Sequence, residues 1–130
     1  MCSSDLSNYG AAKTGIATFS QIVAKELARY GVKSNTIAPG ARTRLTLATP
    51  GLEDIMKPKP GAFDEWDPAN ISPLVAYLAS ADCAFTGETF LVSGGSVTMV
   101  ESWARGPHVE RDSKWTVADL TAALAPLAHS

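Results

Sequence analysis

Apolar side chains at Ile16, Phe19, Val23, Leu27 and Tyr30 recur at intervals of three and four. That spacing lines up one stripe of a helix, and Gly31 is a fitting stop because glycine takes the left-handed conformation that ends many helices. Ala17, Ala24 and Ala28 lie on its other faces and would let a second helix approach closely. A different pattern follows. Val32 to Ala38 contains β-branched residues and meets Pro39-Gly40, while Thr89 to Val92 is a short apolar run followed by Gly94-Gly95, so both read as buried strands. Between them, Asp67-Pro68 opens a segment continuing through Ser72-Pro73-Leu74-Val75-Ala76-Tyr77-Leu78-Ala79, a helix with proline in its first turn. Strand, helix, strand predicts a parallel crossover unit.

Residues 44–66 hold Pro50, Gly51, Pro58, Pro60 and Gly61 without a clear period and read as a long loop, of the kind that more often serves a site than decorates a fold. After Gly95 come an apolar strand tail, Val97 to Val100, then a polar stretch with Trp103 and Trp115. A last helix is expected from Thr116, whose hydroxyl would cap it, to about Leu124.

Composition narrows the picture without deciding it. The chain has 130 residues, 45% of them hydrophobic, which allows one domain with a moderate core. The net charge of −2 supplies no basic field, so neither nucleic acid nor a membrane surface is expected as a partner. No apolar run approaches the ~18 residues that would span a bilayer. Cys2 and Cys83 form no disulfide or metal-ligand pattern, and His108 and His129 have no partners at ligand spacing. A metal is not expected, and a reduced, cytoplasmic setting is.

The candidate chemistry sits in Ser7-Asn8-Tyr9-Gly10-Ala11-Ala12-Lys13. A spacing of four puts Tyr9 and Lys13 on one helix face, so an ammonium can stand beside a phenol. A phenol ionises near pH ~10 and exchanges protons near neutrality only when a neighbouring cation favours its charged form. Tyr-x-x-x-Lys alone is a weak motif. It gains weight from Asn35-Thr36-Ile37-Ala38-Pro39-Gly40-Ala41-Arg42-Thr43 and from Thr86-Gly87-Glu88-Thr89-Phe90-Leu91-Val92-Ser93-Gly94-Gly95, which follow in order.

Taken together these segments resemble the second half of a short-chain dehydrogenase/reductase, and the resemblance covers roughly residues 7 to 100. The tail and the step Ser72-Pro73-Leu74-Val75 are most similar to the hydroxyacyl-CoA dehydrogenase-like branch, which includes the dehydrogenase domain of peroxisomal multifunctional enzymes. The resemblance implies an α/β fold: the C-terminal half of a Rossmann-like, doubly wound parallel sheet, contributing its last two strands, with the N-terminal half missing. It implies that residues 7–100 are the C-terminal part of that domain and 101–130 an extension. The family's Gly-rich phosphate loop, its catalytic serine upstream of the tyrosine and its asparagine find no counterpart here. Residues 1–6 are expected to be a non-native leader, since Cys2-Ser3-Ser4-Asp5-Leu6 matches the reading of TGC TCT TCC GAT CT, a string similar to a sequencing-adapter end; a biological start at Met1 is the competing reading.

The resemblance also assigns roles. Tyr9 and Lys13 become the catalytic pair, with Tyr9 exchanging a proton with the substrate oxygen and Lys13 also hydrogen-bonding a nicotinamide ribose. Pro39, Gly40 and Ala41 would bring backbone against the nicotinamide, and Thr43 would bond its carboxamide or phosphate. The cofactor would be NAD or NADP, and the substrate a small molecule, a 3-hydroxyacyl thioester or a steroid-like alcohol. Full-length family members are expected as homo-oligomers. Asn35 reads as a local structural bond between strand and neighbouring loop, and Gly94-Gly95 as structural. Arg42 and Arg44 read as solvated, with an acyl-CoA phosphate or an acidic partner as the alternative. Two rivals stand beside this reading: an acyl-carrier-protein reductase, and a non-enzymatic oligomerisation module that docks on a full-length homologue. The isolated chain is expected to be inactive.

Overall fold

A computed structural model describes residues 4–101 and 103–129. Helix α1 (Ser4–Leu27) continues into a 3-10 turn, Ala28–Tyr30, and ends where Gly31 takes φ 72° and bonds back to the Ala28 carbonyl. The stop expected at Gly31 is therefore present. The helix begins at Ser4, so the last three residues of the expected leader belong to it. Cys2 lies outside the described residues.

Strand β1 (Thr36–Gly40) pairs in parallel with β2 (Thr89–Ser93), with Ile37 opposite Phe90 and Pro39 opposite Val92. The first strand thus starts later than the sequence pattern suggests and runs through Pro39-Gly40. Proline fits because β1 is an edge strand among the described residues, where a missing N–H need not break a ladder. Before the strand, residues 34 to 36 are already tied to residues 86 to 88. The Gly87 N–H donates to the Ser34 carbonyl at 2.7 Å, and the Thr36 N–H to the Glu88 carbonyl at 2.8 Å.

The crossover between β1 and β2 carries α4 (Ser72–Ala79), as expected, behind a 3-10 turn, Pro68–Ile71, capped by the Asp67 carboxylate. Leu74 of α4 meets Phe90 and Val92 of β2, and Ile37, Ile71, Leu78 and Phe85 pack around them. Phe85 and Phe90 meet edge to face at 5.4 Å, an arrangement favoured by the ring quadrupole. This is the main core.

Residues 44–66 are less irregular than their composition implied. They form two single-turn helices, α2 (Arg44–Leu47) and α3 (Leu52–Ile55). Thr43 starts the first: its hydroxyl accepts from the Thr46 N–H while the Thr46 hydroxyl accepts from the Thr43 N–H, a reciprocal cap built on threonine where glutamate is usual.

The sheet has a third strand. β3 (Ser96–Val100) turns back at Gly94-Gly95 and pairs antiparallel with β2, from Ser93 opposite Ser96 to Thr89 opposite Val100. A strand tail was expected over Val97 to Val100, but not its pairing: it folds back on β2 as a hairpin and covers that strand's outer edge. Gly94, at φ 55°, occupies the first turn position, where glycine avoids the strain any side chain would meet. The tail then runs to α5 (Val117–Leu124), capped by Thr116 as expected, with the Thr116 hydroxyl accepting from the Asp119 N–H. Among the described residues no helix is long and apolar enough to cross a membrane.

Candidate functional site

Side chains alternate across the three strands. Ile37, Phe90, Val92, Val97 and Met99 share the face that carries the α4 core, and Ala38, Leu91 and Thr98 lie opposite each other on the other face. Helix α1 lies against that second face, with Ser20 and Ala24 among its contacts. The Ser20 and Ser34 hydroxyls bond at 2.9 Å, and buried Ala24 sits against Gly87, where an added Cβ would come within 3.5 Å. The small residues of α1 do permit a close approach, but what approaches Ala24 is the loop before β2.

Toward its N-terminus α1 stands off the sheet and leaves a cleft of about 720 Å³. Tyr9, Lys13, Ile16 and Ala17 form one wall, and residues 36–40 with parts of β2 and β3 form the other. Tyr9 and Lys13 are neighbours on the helix, with the Lys13 Nζ 5.5 Å from the centre of the Tyr9 ring. Tyr9 is 63% exposed, so its hydroxyl is open to a ligand.

Of the six residues singled out by sequence, Tyr9, Lys13, Pro39 and Gly40 line this one cleft, although 26 residues separate Lys13 from Pro39 in the chain. Ala41 and Thr43 do not line it. The Ala41 carbonyl accepts from the Thr46 hydroxyl at 3.3 Å, and the Thr43 hydroxyl is engaged in capping α2. Gly40 also has a second explanation. A Cβ there would meet the Ser93 Oγ at 3.1 Å, so its missing side chain makes room for a neighbouring strand before it makes room for any ligand. Ser93, Ser96 and Thr98 add hydroxyls to the cleft wall and were not picked out by sequence, since they become neighbours only through the β2–β3 hairpin.

Asn35 does what was expected of it. Its Nδ2 donates to the Phe85 carbonyl at 2.9 Å and its Oδ1 accepts from the Glu88 N–H at 3.1 Å, joining the start of β1 to the loop before β2. Arg42 departs from expectation. It is paired with Asp64 at 2.5 Å, and both side chains are largely shielded, at 20% and 25% exposure. Hydrogen bonding from Arg42 holds the Asp64 carboxyl below its ordinary range, against the opposite pull of burial. Asp64 raises Arg42 in turn, through the same hydrogen bond.

The cleft can receive a flat, partly polar group between a phenol, an ammonium and a strand end. Its residues fit the nicotinamide-ribose end of a dinucleotide: donors at Tyr9 and Lys13, and close backbone at Pro39-Gly40. Among the described residues no cluster of three His, Cys, Asp or Glu side chains could hold a metal ion.

Residues 2–97 match the family profile described as Enoyl-(Acyl carrier protein) reductase. The chain belongs to the short-chain dehydrogenase/reductase family. It is 38% identical to the hydroxyacyl-CoA dehydrogenase ChsB1 of Mycobacterium tuberculosis over 127 residues, covering 90% of this chain and 37% of that relative. It is 41% identical to the 3-oxoacyl-[acyl-carrier-protein] reductase FabG of Vibrio cholerae over 96 residues, covering 68% of this chain and 37% of that enzyme. Among solved structures, a short chain dehydrogenase from Mycobacterium avium superposes with a TM-score of 0.72 at 39% identity, covering 94% of this chain and 36% of that one. The chain thus spans little more than a third of the length of these relatives, and the α/β fold corresponds to part of a Rossmann-type dehydrogenase domain. The hydroxyacyl-CoA dehydrogenase match takes in far more of this chain than the reductase match does, in keeping with the branch that the tail suggested.

Proposed function

We propose that this short-chain dehydrogenase/reductase segment supplies the proton-transfer half of an NAD(P)-dependent oxidoreductase that interconverts a secondary alcohol and a ketone. The observation that carries the reading is the meeting of Tyr9, Lys13, Pro39 and Gly40 in one cleft. The Tyr9 hydroxyl passes its proton to the carbonyl oxygen in reduction and takes the alcohol proton in oxidation. Lys13 supplies the neighbouring positive charge and donors for the ribose hydroxyls. Pro39 and Gly40 offer backbone to the nicotinamide, and Thr43, once its cap loosens, a hydroxyl to the carboxamide. A bound nicotinamide supplies or accepts the hydride.

The preferred substrate is a 3-hydroxyacyl thioester carried on coenzyme A, because the match covering 90% of this chain is to a hydroxyacyl-CoA dehydrogenase and so reaches into the tail. A 3-oxoacyl-acyl-carrier-protein reductase is the second reading, favoured by the 41% identity to the Vibrio cholerae enzyme. By itself the 130-residue chain is expected to turn over neither NADH nor NADPH.

A hybrid tests both parts. Residues 7–100 would replace the matching segment of the Mycobacterium avium dehydrogenase, and the hybrid would be offered 3-ketoacyl-CoA and 3-ketoacyl-acyl-carrier-protein with either nucleotide. Faster reduction of the coenzyme A ester supports the first reading and the reverse order the second. A folded hybrid that binds nucleotide yet reduces neither ester contradicts both, and turnover by the 130-residue chain alone contradicts its expected inactivity.

A further inference from the structure

The donors of Arg42 are directed inward, onto a segment the functional reading leaves unassigned. Its backbone N–H donates to the Trp66 carbonyl at 2.7 Å. Its Nη1 donates to the Met56 carbonyl at 2.7 Å and to Asp64 Oδ1 at 3.0 Å, while Nη2 reaches Asp64 Oδ2. One residue after Ala41 therefore holds both ends of the stretch from Met56 to Trp66. Asp64 is fixed from its other side as well: its Oδ1 accepts from the Trp66 N–H at 3.2 Å, and its carbonyl accepts from Asn70 Nδ2 at 2.9 Å.

A second tie is independent of charge. Gly94, in the β2–β3 turn, lies so close to Glu65 that an added Cβ would be 3.1 Å from the Glu65 carbonyl oxygen. The 56–66 stretch is thus pinned between the end of β1 and the hairpin turn, beside the Pro39-Gly40 wall of the cleft. A planar guanidinium meets a carboxylate through two parallel bonds and a carbonyl through a third, which an ammonium cannot reproduce in one pose.

We propose that Arg42 is a positioning residue, which clamps the 56–66 segment to the end of β1 and so fixes the backbone course of Ala41 to Thr43 beside the cleft. The consequence for catalysis rests on the functional reading above; the clamp itself does not. Small displacements of positioning backbone are costly in enzymes, which gives such a clamp its use.

The test uses the full 130-residue chain with Trp103→Phe and Trp115→Phe, leaving Trp66 as its one indole. Trp66 emission and chymotryptic cleavage after Phe63 are followed in this parent and in Arg42→Met, Arg42→Lys and Asp64→Asn, with far-ultraviolet circular dichroism as the check on folding. Arg42→Met is expected to shift Trp66 emission to the red and to speed cleavage about tenfold, as the open segment becomes more populated. Arg42→Lys and Asp64→Asn should both fall between parent and Arg42→Met, the second because it removes the charge of one acceptor and leaves the Nη1 bond to the Met56 carbonyl.

Unchanged emission and cleavage in both Arg42→Met and Asp64→Asn would overturn the proposal. If Arg42→Met does not fold, Asp64→Asn decides alone; collapse of both would also overturn it, by showing a role in the whole fold in place of a local one. An inactive hybrid would sink the functional reading and leave these outcomes untouched.

Discussion

The β1–β2–α4 unit and helix α1 adjoin each other in the chain yet are held by different means. The first is knitted by a parallel ladder, by the two-way bonds of Asn35 and by a core in which Phe90 and Val92 are only 4% and 2% exposed. The second counts Ala24 and the Ser20–Ser34 pair among its contacts, while Ile16, Phe19 and Ile22 stay exposed. Tyr9 and Lys13, the residues proposed to carry the chemistry, lie on the more exposed element. On the proposed reading stability and reactivity are separated: the sheet unit provides a floor for the cleft, and α1 supplies a wall whose apolar stripe still has surface to bury.

Substitutions in the two regions should therefore differ sharply. Phe90→Ala removes a buried ring from the core and should cost about 3–5 kcal/mol, whereas Phe19→Ala on α1 should stay within about 0.5 kcal/mol. Urea midpoints compare them, and equal losses would erase the contrast. Asn35→Ala orphans the Phe85 carbonyl and the Glu88 N–H and should cost about 1–3 kcal/mol by the same measurement, placing it between those limits. Gly94→Ala imposes a side chain at φ 55° against Glu65 and should cost about 1 kcal/mol or more, seen as a lower melting temperature with an unchanged β1–β2 ladder.

The smallest effect concerns pH. Asp64 is held below its unfolded value in the folded chain, so its pairing with Arg42 contributes fully above the ordinary carboxylate range and is lost as pH falls through the lower folded value. The urea midpoint of the wild type should fall more on acidification than that of Asp64→Asn. Equal slopes would show that the pair adds nothing measurable in solution.

Much of this was legible where a single residue carries a local rule. Gly31 marks the helix end, Thr116 caps α5, and the Asp67-Pro68 step opens the crossover helix, because caps and stops depend on nearest neighbours in sequence. Asn35 was also legible, through the family pattern around it. The missed features are those set by partners distant in sequence. β1 runs through Pro39 because an edge strand tolerates a missing N–H, which the breaker rule for proline does not see. The β3 hairpin was signalled by Gly94-Gly95, a two-residue glycine turn, but that pair was read only as an end of β2. Arg42 read as solvated because its acceptors lie 14 and 22 residues away. The cleft hydroxyls of Ser93, Ser96 and Thr98 carry no motif at all.

The account turns on Tyr9 as the group that moves the proton. The most direct measurement is kcat for 3-ketoacyl-CoA reduction by the Mycobacterium avium hybrid with Tyr9 and with Tyr9→Phe, which keeps the ring and removes the hydroxyl. A loss of about 10²-fold or more in kcat, with nucleotide affinity retained, is the expected result for a lost general acid. Full activity in the phenylalanine variant would contradict the account, since the proton would then travel by another group.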